Sequence, residues 1–340
     1  MTRKWFTLSA IVAGLTMTAG VALAQANMPA PQPLPKREKV KVILAAKFEA
    51  FAPVYVADKK GELAKENLEV EYVIAKTADQ FLLLTTGQGD VGFTSASAGF
   101  FNAVASGAEM KVVGPGQIQA QDNKQGLYIS KAYLNGRPYS PALLKGTTIG
   151  STVGVGSTVT HWIQKELQKG GLSLADVKFR QTGAADILIA VENGALEAGF
   201  ISDPFWTKAD PNKVQFVTGL YGEFASGCFI YGKSFLEPQR RAAAEAFMRA
   251  IVRTTRTYLQ GDIHKNEDIL QLIASEVGVP ADVLRPNVAP IFTPNLDIGP
   301  EVAIELQKTY RIVPGVLSYD KDLPADKVMD LSFVEKARKG

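Results

Sequence analysis

Four short stretches of the chain carry side chains of the kind that hold small molecules. The first runs from Lys47 through Phe48 and Glu49 to Phe51: a cation, an acid and two aromatics. In the second, Ser95, Ala96 and Ser97 precede an apolar run with helical character. The serines can act as an N-cap, and the free N–H groups of a helix start attract an anion or a polar head group; the two roles are compatible. The third stretch, Gly154-x-Gly156-Ser157-Thr158, lacks the Lys-Ser/Thr ending of a nucleotide loop. It reads as a glycine turn that lets backbone N–H groups approach a ligand. In the fourth, Asp203 can cap the helix entered through Pro204, pair with Lys47, or receive a ligand amine, with capping the first choice. Trp206 offers a flat wall to a planar ligand. Phe48 and Phe51 fit either the core or the cleft, and Gln80 joins the ligand-binding candidates from the start of a predicted helix.

This chemistry is capture rather than bond-making. The single cysteine, Cys228, sits in the apolar run Cys-Phe-Ile-Tyr and reads as a buried, inert strand residue. The only histidines, His161 and His264, leave little for acid–base catalysis or zinc. No metal site, cofactor or catalytic residue is expected.

The elements that position these stretches follow from composition and pattern. At 340 residues, 46% apolar and 21% charged, the chain is globular, with one large domain or two ordinary ones. Lys plus Arg at 37 against Asp plus Glu at 34 is too balanced for a nucleic-acid binder. Residues 1–24 read as a secretory signal: Arg3 and Lys4, an apolar stretch, then Ala22-Leu23-Ala24 before Gln25. Its removal lowers the net charge from +3 to +1, and without a cysteine at the cleavage point no lipid anchor is expected. Four alternating prolines make 25–39 an extended linker. Strands are expected at 40–45, 68–74 and 91–93, a helix after Pro53, and a second helix capped by Thr77 or Asp79 and stopped at Gly87. Alternation of strand and helix predicts a parallel α/β sheet. The arginine-rich stretch 239–259 reads as an amphipathic helix whose Arg240, Arg241, Arg249, Arg253 and Arg256 form a solvated face.

Sliding the chain by 107 residues aligns a second copy. Val42 meets Ile149, Asp79 meets Asp186, Gly87 meets Gly194, and Asp90, Gly92 and Phe93 meet Glu197, Gly199 and Phe200. A duplication gives two lobes, with equivalent loops at 47–53, 94–97, 151–158 and 202–206 aimed at one cleft.

On these loops the chain resembles periplasmic substrate-binding proteins of ABC importers, within the nitrate, sulfonate, taurine and thiamine-precursor group. The resemblance rests on FAPVYVADKKGELAKENLEVEY at 51–72, GQGDVGFTSASAGF at 87–100, GVGSTVTHWIQKEL at 154–167 and ENGALEAGFISDPFW at 192–206. It implies a two-lobed type II α/β fold, with 40–122 and 222–340 forming lobe 1 and 123–221 forming lobe 2. It further implies a monomer in the periplasm that binds a small organic solute, anionic or zwitterionic, sulfonate-like or aromatic, and hands it to a permease and ATPase complex. The ligand-binding set expected is Lys47, Phe48, Phe51, Gln80, Ser95, Ala96, Ser97, Gly156, Ser157, Thr158, Asp203 and Trp206. The alternatives are an enzyme on the same fold, related to thiamine-pyrimidine synthesis, or a ligand-sensing partner protein. The cysteine-rich motif expected of the thiamine-precursor enzyme is absent from the sequence.

Overall fold

The computed structural model describes residues 28–120, 122–203, 205–220 and 227–339. The signal segment and the lobe boundary at 222 lie outside them. Among the described residues, ten strands form two five-stranded sheets. The first sheet is ordered β2-β1-β3-β10-β4 and contains β1 (Glu38–Leu44), β2 (Leu68–Ile74), β3 (Val91–Thr94), β4 (Lys111–Pro115) and β10 (Cys228–Tyr231). The second is ordered β7-β6-β8-β5-β9, from β5 (Gly126–Ser130), β6 (Thr148–Ser151), β7 (Lys178–Gln181), β8 (Ala198–Ile201) and β9 (Val214–Gly219). Each sheet thus takes in one antiparallel strand, β10 or β5, that follows a crossover from the other sheet. The longer helices are α1 (Ala52–Lys59), α2 (Thr77–Thr85), α3 (Ala98–Ala105), α4 (Val159–Lys169), α5 (Ala184–Glu192), α6 (Arg241–Tyr258), α7 (Glu267–Val277), α8 (Glu301–Arg311) and α9 (Ser332–Lys339).

The 107-residue repeat is carried into three dimensions. Helix α2 shifted by 107 is α5, and β3 shifted by 107 is β8. The register follows: Val42 faces Tyr72 and Val91, while Ile149 faces Phe179 and Ala198. Even the irregularities repeat, since β10 slips register against β4 at Phe229/Ile230 and β5 slips against β9 at Leu127/Tyr128. Asp90 accepts from the Lys41 backbone N–H at 2.8 Å, and Glu197 accepts from the Thr148 N–H at 2.9 Å, again 107 residues on. A carboxylate in each lobe therefore ties the lobe's first strand, β1 or β6, to the turn before β3 or β8.

Packing also corrects three expectations. The stretch 25–39 is not a free linker where it is described: Leu34 is buried, its N–H donates to Glu66 O at 3.1 Å, and the Gln32 N–H donates to the Glu66 carboxylate at 3.1 Å. Prolines keep the segment extended, and that extension lets it lie along lobe 1. Helix α2 begins at Thr77 with Lys76 in the N-cap position, and Asp79 lies inside the first turn, where a negative charge suits the helix dipole. Arg249 and Arg253 are not solvated. They are 6% and 4% exposed and bind Glu66 and Glu62 at 2.5–2.8 Å, because α6 packs across α1. Among the described residues no helix is long and apolar enough to cross a membrane.

Helix α8 joins the lobes. It packs against α3 of lobe 1 and α4 of lobe 2, Tyr310 is buried in a cluster with Phe101, Trp162 and Phe200, and Ile312 lies against the lobe 2 core.

Candidate functional site

The loops at the carboxyl ends of β3 and β6 meet between the lobes, and the loop after β1 shares a pocket with the loop after β3. Direct contact is made by one backbone hydrogen bond: the Ala98 N–H, first in α3, donates to the Gly156 carbonyl at 2.8 Å. The glycine turn of lobe 2 thus satisfies a helix start of lobe 1 with its carbonyl, where its N–H groups had been expected to face a ligand. Gly154, at φ +67°, takes the backbone conformation that makes this turn possible. Ser157 and Thr158 are buried at its end, and the Ser157 hydroxyl donates to Gly154 O at 3.3 Å.

Lobe 1 contributes a pocket of about 190 Å³ lined by Ala50, Phe51, Phe93, Thr94, Ser95 and Gln117, among others. Its floor is aromatic, since Phe51 stands edge-on to Phe93 at 4.7 Å, while Phe48 is 54% exposed and leans on Phe51 at 5.8 Å. Ser95 and Gln117 add neutral polar groups. Ser97 occupies the N-cap position of α3 without a side-chain cap bond, and the buried Ala96 carbonyl accepts from the Tyr310 hydroxyl at 3.0 Å. Gln80 is fully buried; its amide N–H donates to Ala75 O at 2.9 Å and its Oε1 has no partner.

Lys47 points elsewhere. Its ammonium pairs with Glu276 of α7 at 2.9 Å and lies over the Tyr72 and Tyr55 rings at 5.2 and 5.7 Å. It makes no pair with Asp203. Glu49, next in the same loop, accepts a hydrogen bond from His264 Nε2, whose Nδ1 sits 3.0 Å from the Asn287 carbonyl. Burial alone would lower the His264 pKa; the Glu49 hydrogen bond and charge overcome it and raise the pKa.

From lobe 2 comes Asp203, which is solvent-exposed. Its carboxylate accepts from Trp206 Nε1 and, at 3.4 Å, from the Asn123 amide; its own backbone N–H donates to Gln125 Oε1 at 3.2 Å. It caps no helix N–H. Its side chain holds the indole instead, while the Ser202 carbonyl accepts the first N–H groups of the short helix Phe205–Lys208. Desolvation by the surrounding cleft walls raises the Asp203 pKa, the Glu49 charge adds to the rise, and the hydrogen bonds from Trp206 and Asn123 oppose it. Trp206 itself rests on the lobe 2 cluster around Ile187 and Leu188.

The structure therefore brings Phe51 and Ser95 together in one pocket and Asp203 and Trp206 together in another wall. Lys47 is turned away. The groups that sequence reasoning passed over are Gln117, Asn123 and Gln125. Their signal was present as an amide-rich crossover between β4 and β5, a composition unusual for a plain connection. Two candidates for reaction chemistry are buried. Burial pushes the Cys228 thiol up to about 12, and burial with the Lys165 charge pulls His161 down to about 4.

A family model described as NMT1/THI5 like matches residues 49–260. No curated protein matches the sequence. Among solved structures, the alkanesulfonate-binding protein SsuA from Xanthomonas axonopodis pv. citri, bound to MOPS, is similar at 16% identity and TM-score 0.61, over 87% of this chain and 99% of that one. The aliphatic sulphonate binding protein SsuA from Escherichia coli is similar at 20% identity and TM-score 0.59, over 87% and 92%. The nitrate-binding protein NrtA from Synechocystis PCC 6803 is similar at 16% identity and TM-score 0.61, over 89% of each chain. At these identities the likeness speaks for the fold, which is the two-lobed α/β fold of periplasmic binding proteins.

Proposed function

The chain belongs to the NMT1/THI5-like family, and on that premise we propose that it is a non-catalytic solute-binding protein. It is exported to the periplasm, captures a small organic molecule between its lobes, and delivers it as a monomer to the permease and ATPase of an ABC importer. The observation that supports this reading is the contact between equivalent strand-end loops of two repeated sheets, with an aromatic-floored pocket in one lobe and a carboxylate–indole pair in the other. A floor of Phe51 and Phe93 favours an apolar or planar body, and Thr94, Ser95 and Gln117 supply orientation rather than reaction chemistry. Neighbours in fold that are themselves named as binders of sulfonates and nitrate support the solute-binding role. An anionic solute would rest on helix N-termini and on Lys47, whose ammonium is paired with Glu276.

The reading is tested by native mass spectrometry of the purified protein, followed by thermal shifts with a panel of sulfonates, carboxylates, amines and heteroaromatics. A ligand at about a thousandfold excess over its Kd stabilises the fold by about 4 kcal/mol. Sustained conversion of any hit by the pure protein, lost on changing a cleft residue, would replace capture with catalysis.

A further inference from the structure

Building on the cleft as a solute site, we propose that the solute is an organic cation whose ammonium or amidinium N–H groups donate to Asp203. The carboxylate of Asp203 has only neutral partners, the Trp206 indole N–H and the Asn123 amide. The Asn123 contact is long at 3.4 Å, which leaves acceptor capacity on that oxygen. Among the described residues no lysine, arginine or histidine forms an ion pair with Asp203.

The facing wall does not supply the missing charge. The imidazole of that wall, His264, is held between the Glu49 carboxylate and the Asn287 carbonyl. Lys47, the one cation of the same loop, is 2.9 Å from Glu276 and stacked on two tyrosines. The polar groups nearest the aromatic floor, Thr94, Ser95 and Gln117, are uncharged and can accept from an ammonium as readily as they donate. An anion approaching Asp203 meets a carboxylate whose hydrogen-bond partners are neutral; a cation meets an acceptor fixed in place by the indole it holds. Closure removes water and strengthens whichever of these interactions is made.

The test uses one molecular body with three charges: 2-phenylethylamine, 2-phenylethanol and 2-phenylethanesulfonate, titrated calorimetrically into the full mature protein. The amine is expected to bind tighter than the sulfonate by on the order of tenfold or more, as for a charge pair in a partly desolvated site. Asp203→Asn is expected to erase that preference and Asp203→Lys to invert it, with ligand-free melting temperatures showing that both variants fold. A sulfonate bound as tightly as the amine by the wild type, or an amine preference that survives Asp203→Asn, overturns the inference and leaves solute capture standing. Should none of the three bind, the molecule released from natively purified protein decides: a cation supports the inference, an anion overturns it, and no molecule at all overturns the reading of the cleft as a solute site.

Discussion

The two histidines show how one residue type is given opposite roles by its surroundings. His264 is held between Glu49 and the Asn287 carbonyl, and its folded pKa lies above 6.5. A raised pKa contributes stability below the unfolded value, and that contribution disappears as pH rises through the folded value. His264→Asn should therefore cost most below pH 6.5 and progressively less above it, read as the difference in melting temperature between variant and wild type across pH. His161 behaves in the reverse sense. It faces Thr309 at 3.1 Å and Glu305 at 3.6 Å, yet burial and Lys165 depress its pKa from 6.5 to about 4. The unfolded chain takes up that proton first, so stability falls as pH drops from 6.5 towards 4, by on the order of 3 kcal/mol for this group. His161→Asn should flatten the acid limb of the stability curve, measured by urea unfolding at stepped pH; an unchanged limb would show that other groups carry it.

At the scale of elements, the repeat makes a paired experiment available. Gly92 and Gly199 occupy equivalent places in β3 and β8, and each lies under a helix of its own lobe. A Cβ at Gly92 would come 2.8 Å from the Leu84 Cδ1 atom, the end of a flexible side chain. A Cβ at Gly199 would come 2.6 Å from Ile187 and 2.8 Å from Val191, both β-branched and stiff about χ1. Gly199→Ala should cost more than Gly92→Ala, within the usual overpacking range of about 1–3 kcal/mol, in equilibrium unfolding. Equal costs would mean that the lobe 2 helix shifts bodily. The ion cluster beneath α6 gives a larger effect. Glu66 is fully buried and binds both Arg249 and Arg253, so Glu66→Gln leaves two guanidinium groups short of charge and should destabilise by about 3–5 kcal/mol. The arginines were visible in the sequence, but their burial was not. A helical period places residues on a face without saying what that face meets, and here the partner carboxylates are more than 180 residues away.

For the whole molecule, the question is how the lobes move about each other. The chain crosses between the sheets after β4 and after β9, and α8 lies against both lobes. Gly156 sits at the contact, where a Cβ would stand 3.1 Å from the Ala98 Cβ and 3.7 Å from Val316. Gly156→Val should wedge the closed arrangement while leaving each lobe folded. The expected result is a ligand-free melting temperature near that of the wild type, with ligand affinity weakened by on the order of tenfold, since a closed state made less populated lowers apparent affinity in proportion. Small-angle scattering supplies the second measurement: saturating ligand should compact the wild type and compact the variant less.

The sequence alone carried the α/β alternation, the 107-residue duplication and the loops on which the family resemblance rests. Each of these is local, or is a comparison of the chain with itself, and hydrophobic period and turn residues encode such features directly. It did not carry the partners of charged side chains. Lys47 looked like a ligand cation until α7 placed Glu276 beside it, and Asp203 looked like a helix cap until the indole of Trp206 and the Asn123 amide took its oxygens. A long side chain has many rotamers and many reachable partners, and its choice depends on elements far away in the chain. Tertiary packing alone made that choice.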